Sequence, residues 1–310
     1  MVFWNFYNNF LFKNSITWTT DGANAGTVLY RDGLFYATNV CGVMLQKTSI
    51  KPSSYFAHEI NVKVKKHVIK AGNPKLMINV LHEVLINFSK NKLEQEKISI
   101  LIENIDNLIT LEEIKHNKLK QLKETLLQKM FPEGNSKTPR IRFKGFDEEW
   151  KEEVLGKIIK SAYIGISSKI LITGKYEVIQ QGITNIAGYT NEQIFENYEK
   201  IVLFGDHSLS VYKPKKPFLL ASDGIKAYFI ENTYGDYFYY LLGNNLPENE
   251  GYKRYSLILK EKNIWITYNK SEQQKIGDFF CKIDTLLDLY NSKLNKLKQI
   301  KEALLQKMFV

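Results

Sequence analysis

Asp206, His207 and Ser208 follow one another in the sequence, and their side chains are of the types that serve nucleophilic catalysis. Such chemistry needs a histidine base within hydrogen-bonding distance of the serine and an acid that orients the base. Adjacent residues seldom converge on one reacting atom, because successive side chains leave the backbone in different directions. We therefore interpret the triplet as a turn whose polar side chains face a ligand, and a catalytic cluster is the alternative.

Other familiar catalytic patterns are incomplete in this sequence. Gly165 and Gly174-Lys175 lie too far apart for a phosphate-binding loop, and His82-Glu83 lacks the second histidine of a zinc-protease helix. Neither the Asn-Pro-Pro-aromatic loop of amino-methyltransferases nor the Pro-Asp with Glu-x-Lys pattern of nucleases occurs. The sequence therefore predicts a chain that is not an enzyme, with any chemistry carried by a partner.

Composition favours a folded protein that binds a polyanion. The 310 residues exceed a typical single domain, and 44% of them are hydrophobic, which is enough to build cores. The net charge of +10 favours nucleic acid or an anionic membrane surface, with a generic basic surface as the alternative. Cys41 and Cys281 fit neither a disulfide framework nor a metal site. With no membrane-spanning stretch or secretory signal in view, we expect a cytoplasmic protein.

A polar and basic stretch between residues 169 and 216 supplies candidates for contact with nucleic acid. Glutamine and asparagine can pair bidentately with adenine, whereas lysine neutralises phosphates. Two prolines hold a basic loop extended near residue 214, and a solvated turn is the alternative for each lysine. For base readout we predict Gln180, Gln181 and Asn185, then His207 and Ser208; for phosphate contact we predict Lys169, Lys175, Lys213, Lys215 and Lys216.

The elements that must position these residues include a duplicated helix. A shift of 178 positions lays Glu94–Phe131 over Glu272–Phe309, and 22 of the 38 pairs are identical. Apolar residues recur at steps of three and four in both copies, which predicts helices of about 57 Å. Ser271 is the predicted N-cap of the second helix, and Pro132 with Gly134 ends the first. We expect the two helices to pack antiparallel as a coiled coil that acts as a spacer, with a plain two-helix core as the alternative.

The segments before the two helices look like a longer and a shorter relative of one domain. Residues 139–270 carry short β-branched and aromatic runs between turns, which predicts a mixed domain with a substantial sheet. In residues 1–90, the run from Ile16 resembles that from Ile201, and the run from Phe35 resembles that from Leu219. This pairing places Met1 near residue 186, so we expect the first domain to lack the counterpart of residues 139–185.

Two globular segments, each followed by a nearly identical long helix, resemble the DNA-specificity subunits of type I restriction-modification systems. The most specific residues are Leu126–Pro132, Pro139–Phe146, Trp150–Gly156 and the Phe35–Val40 motif. The resemblance implies an α+β (α/β) fold with two target-recognition domains and two long helices packed as an antiparallel coiled coil. The expected boundaries are 1–90 for a partial first domain, 91–131 for the first helix, 132–138 for a linker, 139–270 for the second domain and 271–310 for the second helix.

The resemblance also implies the partners. It predicts a non-catalytic, sequence-specific subunit that binds double-stranded DNA at a bipartite target. It would dock two modification (methyltransferase) subunits and the restriction (nuclease and translocase) subunits, in a holoenzyme that acts as a type I site-specific deoxyribonuclease and adenine methyltransferase. No cofactor is expected on this chain, because S-adenosylmethionine, ATP and Mg²⁺ would bind the partners. The alternatives are a coiled-coil scaffold, or an inactive shortened subunit without DNA recognition of its own.

Overall fold

The computed structural model of the chain describes residues 10–45, 51–182 and 184–309. They divide into two compact units, one within residues 1–114 and 290–310 and the other comprising residues 115–289. Each unit therefore contains a globular part together with a portion of both long helices. The domain boundaries expected from the sequence lie at the ends of the long helices, whereas the two units divide within the helices. The expected boundaries remain a prediction.

The first unit is built on a three-stranded antiparallel sheet. Its strands are β1 (Phe12–Thr19), β2 (Val28–Phe35) and β3 (Cys41–Met44), in the order β2-β1-β3. Helix α1 (Ser54–Val64) and the short α2 (Ile78–His82) follow. Because β1 is the central strand, four consecutive residues from its middle are buried.

The core of the first unit joins this sheet to the long helices. Aromatic and β-branched side chains of β1 and β2 pack against the start of α1, which presents two adjacent aromatic rings. Burial of such side chains is the main favourable contribution to folding. The buried members include Ile16, Trp18, Val28, Tyr55, Phe56, Ile102 and Phe309.

The second unit contains three small sheets. Its elements are β4 (Lys151–Val154), α4 (Leu155–Ile158), β5 (Ile159–Ser161), β6 (Tyr176–Ile179), β7 (Ile186–Thr190), β8 (Val202–Gly205), β9 (Val211–Tyr212), β10 (Phe218–Leu220), β11 (Ile225–Ile230), α5 (Gly235–Asn244), α6 (Tyr255–Lys260) and β12 (Asn263–Ile266). The sheet orders are β10-β6-β7, β5-β11-β8-β9 and β12-β4, and all pairs are antiparallel except β10 with β6. Strand β8 is buried along its whole length.

The two predicted long helices are confirmed as α3 (Lys92–Met130) and α7 (Lys270–Met308). Ser271 is not the N-cap, because the Asn269 Oδ1 accepts a hydrogen bond of 3.1 Å from the Glu272 N–H. Asn91 caps α3 in the same way, with Oδ1 bonds of 3.0 Å and 3.4 Å to two N–H groups of the first turn. An asparagine at this position satisfies N–H groups that have no helical partner. The 178-residue repeat therefore extends back to its caps, since Asn91 corresponds to Asn269.

The helices pack antiparallel, and equivalent residues make equivalent contacts within each unit. In the first unit, Lys301 forms an ion pair with Asp106. In the second unit, Lys123 forms an ion pair with Asp284, which is the same pair with the two helix copies exchanged. The apolar contacts between the helices are exchanged in the same way. Ile105 of α3 and Leu304 of α7 belong to one apolar cluster in the first unit, and their counterparts on the opposite helices belong to one apolar cluster in the second unit. The predicted antiparallel helix pair is confirmed.

The sheets of the two units share a strand register. In the first unit Thr17 pairs with Val43 and Trp18 with Gly42. A shift of 185 positions carries both pairs onto Val202 with Tyr228 and Leu203 with Ala227 in the second unit. Since a one-residue slip would exchange the two faces of a strand, an identical register supports the sequence-based pairing of Ile16 with Ile201.

An ion pair fixes the segment after α3 to the start of α7. The α3 helix ends at Met130, and Gly134 has a φ of +58, as expected from the proline and glycine that follow. Arg142 then donates from Nε and Nη2 to the two carboxylate oxygens of the buried Glu272, at 2.7 Å and 3.0 Å. The Glu272 carboxylate raises the pKa of the Arg142 guanidinium, since hydrogen bonding to the charged form favours it.

No helix in the described ranges combines the length and apolar character needed to cross a bilayer.

Candidate nucleic-acid interface

Three turns of the second unit meet around Gln181. The β6–β7 turn carries Gln181, the turn between β8 and β9 follows Gly205, and the β10–β11 turn contains Gly224. A Cβ atom on Gly205 would lie 2.9 Å from the Gln181 Cβ, and one on Gly224 would lie 2.8 Å from its Nε2. Glycine therefore allows the three turns to approach closely. We call Gln181, His207, Ser208, Tyr252 and Lys253 the turn cluster.

Asp206 connects the turn cluster to helix α6. Asp206 is 4% exposed, and its Oδ1 accepts a hydrogen bond of 2.8 Å from the N–H of Ser256 in the first turn of α6. Its backbone N–H donates to the carbonyl of Gly224. The carboxylate therefore joins the β8–β9 turn to helix α6 and is directed away from the exposed side chains.

His207 is held by three contacts. Its backbone N–H donates to the Gln181 Oε1 at 3.3 Å, and its Nδ1 lies 2.9 Å from the backbone carbonyl oxygen of Lys253. Its ring stacks on Tyr252 with centroids 4.6 Å apart and planes inclined by 6°. The Ser208 Oγ instead pairs with the Ser210 Oγ at 2.8 Å. Asp206, His207 and Ser208 thus have separate partners and form a polar turn.

The predicted base-reading amides are partly occupied by internal bonds. The Gln180 Nε2 donates to the carbonyl and hydroxyl oxygens of Thr184, at 3.0 Å and 3.1 Å. The Gln181 Oε1 accepts from the N–H of His207. Bidentate pairing with adenine uses the nitrogen and the oxygen of an amide together, so Gln180 would first have to release a bond, whereas the Gln181 oxygen keeps a second lone pair. Asn185 is half-buried, and its side-chain amide has no hydrogen bond to a described residue.

Four of the five predicted phosphate-contacting lysines lie at the other end of β6. Lys175 precedes β6, and Lys216 lies 4.0 Å from the Glu177 Oε1 of the same strand. The Lys169 N–H donates to Glu192, which follows the strand paired with β6. Lys215 is exposed beside Lys216. These side chains are therefore separated from the turn cluster by the length of β6, about 13 Å.

Lys213 is directed inward. Its Nζ donates to the carbonyl oxygens of Tyr198 and Pro214, at 3.4 Å and 3.5 Å. Burial lowers the pKa of its ammonium, an effect that the nearby Asp236 carboxylate opposes. The structure does not bring Lys213 together with the exposed lysines, so its role in phosphate binding stays a prediction that would require the side chain to turn outward.

The sequence interpretation missed the loop before α6. Tyr252 is 86% exposed and covers the His207 ring, while Lys253 supplies the carbonyl that binds the ring nitrogen. Arg254 is also exposed. An aromatic residue followed by two basic residues after Gly251 could have identified this loop as a further candidate, because bases and phosphates favour these side-chain types.

The first unit has an equivalent turn with different side chains. The shift of 185 positions lays Asp206 on Asp21 and His207 on Gly22. Asp21 is 3.4 Å from the Nζ of Lys75, whereas Gly22 carries no side chain that could stack. The two turns therefore share a position in the fold but offer different surfaces.

Among the described residues, no group of three His, Cys, Asp or Glu side chains could hold a metal ion.

The chain has relatives among known proteins. Residues 2–121 match the family described as the type I restriction modification DNA specificity domain. A Mycoplasma pneumoniae chain named as the N-terminus of a type I specificity subunit is 42% identical over 89 residues, which are 28% of this chain and 47% of that one. A Mycoplasma genitalium chain named as a type I specificity subunit is 24% identical over 316 residues, covering 96% of this chain and 81% of that one.

Solved structures show the same fold. The crystal structure of a type I restriction-modification S subunit from M. genitalium aligns with a TM-score of 0.66 and 19% identity, over 98% of this chain and 85% of that chain. A chain from a study of complex assembly and conformational transition in the type I system aligns with a TM-score of 0.56 and 15% identity, over 96% and 82% of the two chains. The α+β fold with two long helices is confirmed.

The predicted resemblance to type I specificity subunits is confirmed by the family match of residues 2–121 and by these relatives. The chain spans about half the length of the M. pneumoniae relative with 42% identity, and from 26% to 36% of the other M. pneumoniae relatives.

Proposed function

We propose that this chain is the sequence-specific DNA-binding subunit of a type I restriction-modification complex. It recognises a bipartite target in double-stranded DNA, and it docks modification and restriction subunits that carry out methylation and cleavage. The helices set the length of the unread spacer between the two half-sites. Methyl donor, ATP and Mg²⁺ bind those partner subunits.

The observation that carries the proposal is the duplication of a DNA specificity fold within one chain. One copy matches the DNA specificity family, and the second copy repeats both its strand register and its helix. A protein that presents two copies of a recognition fold can read two separated half-sites, as dimeric DNA-binding proteins do. The net charge of +10 adds a sequence-independent attraction to phosphates.

Helix surfaces support docking of partner subunits. Within the first unit, Leu101, Leu108 and Leu111 of α3 are 39%, 47% and 46% exposed, although α7 covers another face of the helix. Their spacing of seven and three residues forms an apolar stripe of the kind that packs against a further helix. Exposed apolar stripes on a charged helix mark interaction sites. A modification subunit that offers helices is the occupant that the family resemblance favours.

Two alternatives predict different behaviour. A coiled-coil scaffold, or an inactive shortened subunit, would keep the helix pair but would show no sequence-selective DNA binding. A free-standing enzyme would modify or cut DNA without partners. The separate partners of Asp206, His207 and Ser208 disfavour the second alternative, because a nucleophile needs its base in contact.

Fluorescence anisotropy with the chain co-purified with its modification subunit tests the proposal. We expect selective binding to a DNA fragment that carries the methylated motif, with affinity that falls as salt concentration rises. Absence of selective binding by this complex would refute the proposal.

A lysine variant identifies the side chains that neutralise phosphates. Replacing Lys169, Lys175, Lys215 and Lys216 by glutamine should reduce the salt slope by about 0.9 for each phosphate that is no longer neutralised, while the motif stays the same. The matched control replaces the exposed Lys137, Lys144, Lys151 and Lys157, which removes the same charge from the linker end of the second unit. Equal slopes for the two variants would assign the attraction to net charge alone.

A further inference from the structure

We infer that His207 and Tyr252 form a specificity element that reads an exocyclic amino group at a base edge. The inference rests on the proposed DNA recognition and deepens it by naming the atom that reads. In this arrangement the His207 Nε2 accepts a hydrogen bond from the N6 amino group of adenine or the N4 amino group of cytosine in the major groove. Tyr252 fixes the orientation of the ring and contacts the neighbouring DNA surface.

The bonding of the histidine ring determines what Nε2 can do. The partner of Nδ1 is the backbone carbonyl oxygen of Lys253, at 2.9 Å. A carbonyl oxygen can only accept, so Nδ1 carries the hydrogen. In the neutral ring, Nε2 then presents a lone pair. No described residue donates to Nε2, and therefore an external donor can satisfy it.

The ring is held in place before DNA binds. Tyr252 lies parallel to it at 4.6 Å, the backbone N–H of His207 is bound to Gln181, and the buried Asp206 anchors the turn to α6. A side chain that is already fixed loses little conformational entropy when it makes a hydrogen bond. Tyr252 itself is 86% exposed, so most of its surface is open to a ligand that approaches the turn cluster.

The charges around the ring suit a site beside phosphates. Lys253 is paired with Glu250, and Arg254 is exposed on the same loop. These neighbours can contact the DNA backbone while the ring reaches a base edge, in keeping with the usual division between phosphate contacts that position and base contacts that specify. Gly22 occupies the equivalent position in the first unit, so this element is specific to the second half-site.

Removal of single functional groups from both sides of the contact tests this inference. The motif is first obtained from the methylated DNA of cells that express the chain with its modification subunit. Each adenine or cytosine of the half-site read by the second unit is then replaced by purine or by 2-pyrimidinone, which lack the amino group. Binding of these probes is measured for the wild-type complex and for complexes with His207→Phe or Tyr252→Phe.

We expect one position at which loss of the amino group weakens binding by the wild-type complex about tenfold, the size of one hydrogen bond. The complex with His207→Phe keeps a stacked ring and should bind both probes at that position equally. Tyr252→Phe also keeps the stack and should retain the tenfold difference, whereas Tyr252→Ala should reduce it. Tyr268→Ala removes another exposed tyrosine, on the α7 side of the unit, and should behave as wild type.

The outcomes separate this inference from the proposed function. If the wild-type complex binds its motif but His207→Phe retains the same dependence on every amino group, the readout by His207 is refuted and DNA recognition stands. If the wild-type complex has no motif, the proposed function fails, and the inference fails with it. Thermal unfolding of each variant establishes folding, and His207→Leu, which also lacks a hydrogen-bond acceptor, serves as the second variant if His207→Phe does not fold.

Discussion

At the residue scale, the ion pair between Arg142 and the buried Glu272 gives a prediction about stability. Arg142→Met should lower the free energy of unfolding of the second unit by about 3–5 kcal/mol, because it leaves the Glu272 carboxylate buried without its cation. Lys137→Met, which breaks an exposed ion pair with Glu149, should cost less than about 1 kcal/mol. Urea unfolding of the full chain measures both, and equal costs would contradict the structural role of Arg142.

Residue types at this scale predicted candidate side chains, but they could not predict which atoms of these side chains form internal hydrogen bonds. Gln180, Gln181 and His207 were predicted from their chemistry, and the structure places them near one another. The bond between Gln181 and His207 depends on how two turns meet, which no local pattern reveals. Lys213 was chosen for its charge, yet its ammonium binds two carbonyl oxygens of its own unit. Tyr252 was not among the predicted residues because its stacking on His207 is a contact across 45 residues of sequence.

At the scale of elements, the sequence predicted the long helices because their apolar spacing persists over many turns. The caps were harder to predict, since Asn269 and Ser271 are both good capping residues and only the backbone decides which one lies at the helix boundary. The repeat distinguishes the two candidates, because Asn91 and Asn269 occupy equivalent positions and each caps the N-terminus of its helix. The correspondence between the runs that begin at Ile16 and at Ile201 was also predicted from the sequence, and the matching strand registers support it.

The exchanged ion pairs give a prediction at this scale. Asp106→Lys should destabilise the helix pair of the first unit by about 1 kcal/mol, because it places two ammonium groups opposite each other. Adding Lys301→Asp to the same chain should recover most of that loss. A thermal melt of the single and double variants measures the recovery, and a double variant no more stable than Asp106→Lys would argue against the pairing.

At the scale of the whole molecule, duplication explains why one chain carries two related units and two nearly identical helices. The family resemblance could be recognised from the sequence because the helix repeat is long and because the segments Leu126–Pro132 and Pro139–Phe146 are distinctive. In the proposed function, the DNA sequence that is read depends on individual turn residues such as His207 and its counterpart Gly22, and for this reason it could not be predicted from the sequence. Equivalent backbones with different side chains would allow one fold to read two different half-sites.

The spacer function gives a prediction at this scale. Insertion of four residues, about one helical turn, after Asn117 should change the number of unread base pairs between the half-sites while both half-sites stay the same. Insertion of four residues between the exposed Asp147 and Glu148 of the second unit is the control and should leave the spacer unchanged. Sequencing of methylated DNA from cells with each variant reports the spacer, and an unaltered spacer in the helix variant would contradict a spacer function of the helices.

The most direct test of sequence-specific recognition is the pattern of methylated bases in cells that express this chain together with its modification subunit. We expect one bipartite motif that is absent when the chain is omitted. We also expect His207→Phe to relax this motif at a single position of one half-site. A methylation pattern that is identical with and without the chain would contradict DNA recognition by this protein.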